Sequence, residues 1–331
     1  MRDDATAHKA VMRRGRRRRT TADWPWIVNW LTKWVLPFYF AAFAVGMVVY
    51  FIGHGLVGID GRIYTRAAAE WLSGGNPWGV SVEGYLFAAP PPTLIPFVPF
   101  ALLGETLSAL LWVAGSAVAG VLLVRRLHLP LWWILFPPLI NGILAGNADV
   151  VLVALLVNGG SAVAVLATFL KIYAVVPLLG EKRWQALAIT AAALILTAPL
   201  LPWRSYLQQS GQIAETLASQ AVGISAWGTP FLMIGVAVAL AGVGPRFAWW
   251  LAVPAVWPST QLHYSTLALP ALANVRAPPA AVLVAAMLFA PENRWFPALA
   301  VIVLAIGAIL HRLANPEETS LPKDIQSEVR S

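Results

Sequence analysis

The chain alternates long apolar runs with a few polar stretches. The first long run extends from about Trp34 to Ile52. Others cover about 88–103, 106–124, 130–145, 147–158, 160–179 and 185–201. Five more follow at about 228–243, 247–262, 264–274, 278–290 and 295–313. Between them lie two longer polar stretches, 54–87 and 203–226, and short charged loops such as Glu181-Lys182-Arg183. A helix that crosses a bilayer needs ~20 mostly apolar residues. Taking each run as one crossing gives about twelve passes. The expected fold is an all-α integral membrane protein, a polytopic bundle of about 10–12 transmembrane helices. The runs shorter than a full crossing are expected to be broken or re-entrant helices buried in protein.

Charge assigns sides to this pattern. Residues 2–19 hold eight Lys/Arg, including Arg13, Arg14 and Arg16 to Arg19. Such a run before a first span is retained on the anionic cytoplasmic face. Trp24, Trp26, Trp30 and Trp34 follow it, as residues that favour the headgroup interface do. Residues 1–23 then form a basic cytoplasmic arm, 24–313 the membrane domain and 314–331 a disordered cytoplasmic tail. Both termini lie inside, in a multi-pass inner or plasma membrane protein, and both long polar stretches lie outside. Glu181-Lys182-Arg183 falls inside as the positive-inside rule requires. Arg125-Arg126 does not, because the count of one crossing per run leaves that pair outside.

Composition agrees with the pattern. Hydrophobic residues make up 59% of the 331 and charged residues 11%, against about 25% charged in soluble domains. That excludes a soluble globular enzyme and a disordered chain, and the runs do not alternate as outer-membrane barrel strands do. The net charge of +8 is read as contact with the membrane, not with nucleic acid. There is no cysteine, hence no disulfide, thiolate metal site or cysteine nucleophile.

The chemistry-bearing residues are few. In the first polar stretch Asp60 opens a segment in which Ile63, Ala67, Ala68, Trp71 and Leu72 recur at helical spacing, ending at Gly74-Gly75 and Pro77. This predicts an amphipathic helix on the outer surface. Asp60 reads either as its N-cap or as a carboxylate that takes a proton from a sugar hydroxyl. Tyr64, one turn on, shares its face and is either a sugar-orienting hydroxyl or an interfacial aromatic. Arg62 and Arg66 could grip a phosphate or lie solvated against headgroups. Tyr85 precedes Pro90-Pro91-Pro92, which mark an irregular entry to the second span. His263-Tyr264 falls at the outer end of a short span, where the imidazole could meet a phosphate or serve structure alone. Asn141, Asn147, Asp149, Asn158 and Lys171 interrupt apolar runs, where polar groups are costly. Lys171 could snorkel, pair with Asp149 or bind a lipid phosphate. No metal cluster or phosphate-cradling nucleotide loop is apparent.

In order, Asp60-x-x-x-Tyr64, Gly74-Gly75-Asn76-Pro77-Trp78, Tyr85 with its prolines, Gly146-Asn147, Leu170-Lys171-Ile172-Tyr173 and His263-Tyr264 resemble the marks of a family. It is that of the polyprenol-phosphate-mannose-dependent mannosyltransferases, glycosyltransferase family 87 of the type C membrane fold. Trp78 stands where the family usually has Tyr, and the chain is shorter than most members. The resemblance implies an outer-face transferase with a polyprenyl-phosphate sugar as donor, mannose first among the sugars, and a lipid or glycan acceptor. It implies Asp60 as general base, inversion by single displacement, and His263 near the donor phosphate. Tyr64, Arg62, Arg66, Tyr85, Asn147, Lys171, His263 and Tyr264 are the candidate substrate-binding residues, with no metal and no cofactor. The competing readings are a transporter or lipid flippase, whose polar residues would sit at mid-membrane on broken helices, and a non-catalytic homologue.

Overall fold

The computed structural model describes residues 30–220, 225–243, 245–258 and 260–273. The basic arm, Trp24 and Trp26, the runs at 278–290 and 295–313 and the tail 314–331 lie outside the described residues. What is described is almost entirely helical, with one two-stranded ribbon.

Two of the described helices are long and apolar enough to cross a membrane: Lys33–Gly53, of 21 residues, and Glu105–Arg126, of 22 residues. At 1.5 Å per residue each is about 30 Å long, the thickness of a bilayer core. Along Leu36–Gly53 a narrow stripe of Leu36, Phe40, Ala44 and Phe51 is buried, while Phe38, Val45, Val49 and Ile52 are exposed. Large apolar side chains in that number suit a lipid-facing surface, not water. Glu105 starts the second long helix and Arg125-Arg126 end it, so its charges complement the helix dipole.

The two long helices run antiparallel. At one end Phe40 packs edge-on against Trp132 and Trp133, with ring centroids 5.2 and 5.6 Å apart, just beyond Arg126. At the other end Arg66, past the first helix, pairs with Glu105 at 2.6 Å. The apolar run at 88–103, expected to be a crossing, is not one. It folds as a short turn, Pro91–Thr93, and an eight-residue helix, Leu94–Ala101. Prolines 90 to 92, 96 and 99 remove backbone donors and limit its length. Eight residues reach about 12 Å, and the second long helix starts near the end of the first, where Gly58 lies against Ala109. Arg125-Arg126 therefore stands at the same end as Lys33, which removes the conflict in charge placement.

Other runs bend where they meet, as 130–145 and 147–158 do, or break within their length, as 160–179 does. The 130–158 stretch forms Pro137–Ala145 and Ala148–Asn158, whose axes turn by 116° at Gly146-Asn147. These two count as a third span only if the bent pair is one crossing. The 160–179 run forms Ser161–Leu170 and Val175–Gly180, separated by extended backbone at Lys171 (φ −151°, ψ 125°) and a short turn, Ile172–Ala174. Trp184–Leu200, Pro230–Gly242 and Phe247–Val256 are apolar but shorter. The first polar stretch carries the expected helix, Ile59–Leu72. A hairpin follows it, with Ser81 opposite Leu86 and Val82 opposite Tyr85. Its turn has positive φ at Glu83 (51°) and Gly84 (82°), as a two-residue hairpin turn demands. The second polar stretch forms Trp203–Gln208 and Ser210–Gln220. It clasps the first: Asn76 Nδ2 donates to Gln209 Oε1 at 3.0 Å, and Gln209 Nε2 donates back to Asn76 Oδ1 at 3.1 Å.

Candidate functional site

The site begins with two glycines. Gly58 has φ 70° and caps Ile59–Leu72, and a Cβ there would come 3.2 Å from Ala109 Cβ. Gly146 has φ 65° and ends Pro137–Ala145, and a Cβ there would come 3.3 Å from Gly58 Cα and 3.2 Å from Trp112. Both conformations disfavour any side chain. The backbones therefore meet: Gly58 N–H donates to Leu144 O at 2.7 Å, and Trp112 Nε1 donates to Gly146 O at 2.6 Å.

This contact sets the start of Ile59–Leu72 against the start of Ala148–Asn158. Asp60 does not cap its helix, since Gly58 holds that position and no side chain caps it. The Asp60 carboxylate instead accepts from Asn147 Nδ2 at 2.5 Å. Asn147 is buried and caps the other helix, its Oδ1 accepting from Asp149 N–H at 2.9 Å. Asp149 is fully buried, accepts a hydrogen bond from the Tyr173 hydroxyl, and lies 3.7 Å from His263 Nε2. Tyr264 follows in the short helix Leu262–Ala268, against Tyr173.

Lys171 stands in the middle. Its Nζ lies 5.9 Å from the Tyr64 ring, 5.8 Å from Tyr173 and 5.3 Å from Tyr264. Those are cation–π distances, and the same ammonium acts on both Asp60 and Asp149. The helix Ile59–Leu72 delivers Asp60 and Tyr64, and chain breaks at Gly146-Asn147, at Lys171 and before Leu262 deliver the rest. Asp60 and Lys171 are half-buried, while Asn147, Asp149, Tyr173, His263 and Tyr264 are buried. The reachable edge of the cluster is thus an acid and a cation.

Burial pushes the Asp60 carboxyl above the ordinary carboxylate value. The Asn147 hydrogen bond and Lys171 pull it back, and Asp149 adds a smaller push. An Asp raised in this way is a better proton acceptor than one in water. Burial likewise holds the Tyr64 phenol above its usual value, so it stays a neutral hydroxyl.

The structure brings together Asp60, Tyr64, Asn147, Lys171, His263 and Tyr264. Tyr64 is not an interfacial aromatic, being buried against Phe97 and Phe87. Arg62, Arg66 and Tyr85 do not join the cluster. Arg62 Nη2 donates to Gly55 O at 2.6 Å, and Arg66 pairs with Glu105 and donates to Ser81 O. Arg66 is six residues past Asp60, roughly 240° around the helix. It lines a separate open cavity of about 420 Å³ with Glu70, Ser73 and Ser81. Tyr85 is exposed on the hairpin. Asn158 is absorbed locally, donating to Ala154 O at 2.9 Å.

Two residues of the cluster, Asp149 and Tyr173, were not among the candidate site residues. Both carried a signal. Asp149 is a carboxylate in an apolar run two places after a helix cap, and Tyr173 follows the intramembrane Lys171 by two. Among the described residues, no group of three His, Cys, Asp or Glu side chains converges to hold a metal ion. Comparison of the chain with family models, with curated proteins and with solved structures finds no match.

Proposed function

We propose that this chain is a membrane glycosyltransferase. In this reading it moves a sugar, mannose first, from a polyprenyl-phosphate donor to a lipid or glycan acceptor on the outer face of the membrane. The observation that carries it is the pairing at the reachable edge of the cluster: a carboxylate with raised proton affinity, fixed by Asn147, beside the ammonium of Lys171. A base and an anion-binding cation set side by side are what transfer from a phosphate leaving group requires. Asp60 takes the acceptor hydroxyl proton, and that oxygen bonds to the anomeric carbon. The carbon–oxygen bond to phosphate breaks and its electron pair stays on the phosphate, so the sugar inverts. Lys171 offsets the charge that gathers there. The reading includes the type C arrangement of 10–12 helices, the plasma membrane and cytoplasmic termini.

The test is donor consumption by membranes bearing the full chain, followed by mass spectrometry of lipid-linked sugars. Wild type consumes the donor, and Asp60→Asn, expressed equally, does not. Full consumption by a clean Asp60→Asn preparation overturns the assignment.

One observation favours a second reading, a transporter. Three broken helices converge on buried ionisable groups, as they do at substrate sites of secondary transporters. Uptake of a lipid-linked or soluble substrate into proteoliposomes without any sugar transfer would select it.

A further inference from the structure

Asp149 and His263 have no step in the transfer chemistry above. Asp149 is fully buried and His263 is 4% exposed. The Asp149 backbone N–H donates to Asn147 Oδ1, and its carboxylate accepts from the Tyr173 hydroxyl on Oδ1. Its other oxygen, Oδ2, has no hydrogen bond. That oxygen is the one facing His263 Nε2, at 3.7 Å. A short approach would close it into a hydrogen bond.

The groups around this pair can be counted element by element. Ile59–Leu72 supplies Asp60 and Tyr64. The segment 171–174 supplies Lys171 and Tyr173, and Leu262–Ala268 supplies His263 and Tyr264. The helix Ala148–Asn158 supplies Asp149 itself, behind the Asn147 cap. Two carboxylates thus face one lysine. An unmatched buried charge is far more costly than a matched one, so the cluster calls for one more positive charge.

We propose that Asp149 and His263 hold one proton between them, which neutralises the buried cluster and leaves Lys171 free to face an anionic phosphate. The proton sits on Asp149 against a neutral imidazole, or on Nε2 of an imidazolium against a carboxylate. The charge of the pair is the same in both. His263 and Asp149 are then positioning residues acting through Lys171, and His263 does not touch the phosphate from its buried place. The pair stands on the geometry alone, whereas its consequence for a phosphate rests on the transferase reading. Removing the proton at alkaline pH leaves an extra negative charge beside Lys171 and weakens an anion bound there.

The experiment uses the full chain in lipid nanodiscs. The probe is an isoprenyl methyl phosphodiester, whose charge is constant from about pH 6 to about pH 10. Calorimetry reads its affinity. Wild type should lose about tenfold affinity or more across the alkaline side. Asp149→Asn, neutral at every pH, should keep the neutral-pH affinity with a flat profile. Identical profiles for the two overturn the proposal. In parallel, nitrogen NMR of ¹⁵N-histidine protein, with His263 assigned by His263→Gln, reads the imidazole without ligand. The Nε2 signal should show a shared proton in wild type and move in Asp149→Asn. A wild-type Nε2 signal that shows no hydrogen bond at neutral pH and does not move on the alkaline side overturns the pair, even where Asp149→Asn does not fold. If the diester binds neither protein, the transferase reading fails, and the NMR signal alone decides the pair.

Discussion

Asn147 uses both ends of its side-chain amide: the oxygen caps Ala148–Asn158 through Asp149 N–H, and the nitrogen holds the Asp60 carboxylate at 2.5 Å. One residue thereby ties a helix start to the orientation of the proposed base. Asn147→Ala should lose both. A hydrogen bond to a charged group contributes about 1.5–3 kcal/mol, so the transfer rate should fall roughly tenfold to a hundredfold. Asn147→Asp keeps the cap but sets a second carboxylate against Asp60, and should be slower still. Rates at saturating donor, with melting curves as control, check this.

Asp60 also predicts a pH dependence. Its carboxyl is raised by burial, and the base must be unprotonated. Transfer should therefore rise with pH through a value above the ~4 of a free Asp. A profile whose acid limb sits at or below that value contradicts the assignment. For stability the sign is reversed. A raised carboxyl stabilises the fold fully below its unfolded value, and that contribution is lost as pH rises through the folded value. Asp60→Asn should therefore melt higher than wild type at neutral pH while being inactive.

Lys171 is the cation that both carboxylates share. Lys171→Met should destabilise the protein by about 3–5 kcal/mol, as removal of one partner from buried charges does. Adding Asp149→Asn should recover part of that loss, because the partners couple. Thermal-shift measurements on the two singles and the double give the coupling. Additive effects would mean that Lys171 and Asp149 do not interact.

Gly146→Ala tests the close approach that assembles the site. At φ 65° an alanine costs about 1–2 kcal/mol, and its Cβ would press on Trp112 at 3.2 Å. Melting should drop by that amount or more, and transfer should fall further than stability because Asn147 moves away from Asp60. Stability and rate measured on the same preparation separate the two effects.

The antiparallel pair of long helices predicts which loops share a side. The chain has no cysteine, so single cysteines report cleanly. Lys33→Cys and His128→Cys should react with an impermeant maleimide from the same face of sealed vesicles, and Glu83→Cys from the other. Labelling of His128→Cys and Glu83→Cys from one face would restore the extra crossing at 88–103.

The sequence by itself determined that the chain is helical and apolar enough for a membrane. It also placed one amphipathic helix after Asp60 and two full-length spans near 34–52 and 106–124. Apolar periodicity and length are local properties, so they are legible residue by residue. The break at Lys171 was not. The run through Lys171 reads as continuous because a single polar residue hardly changes the mean hydropathy of a run. Whether such a residue sits in a helix or ends one depends on a partner far along the chain. Asn147 starts a helix where Asp60, 87 positions earlier in the sequence, lies within hydrogen-bond reach. The same holds for Arg62 and Arg66, whose spacing suited a phosphate but whose partners are Gly55 and Glu105. Only the tertiary structure decided that Asp60, Lys171 and the Asp149–His263 pair form one cluster. A buried charge is tolerable only beside its counter-charge, and the counter-charges here come from four separate segments.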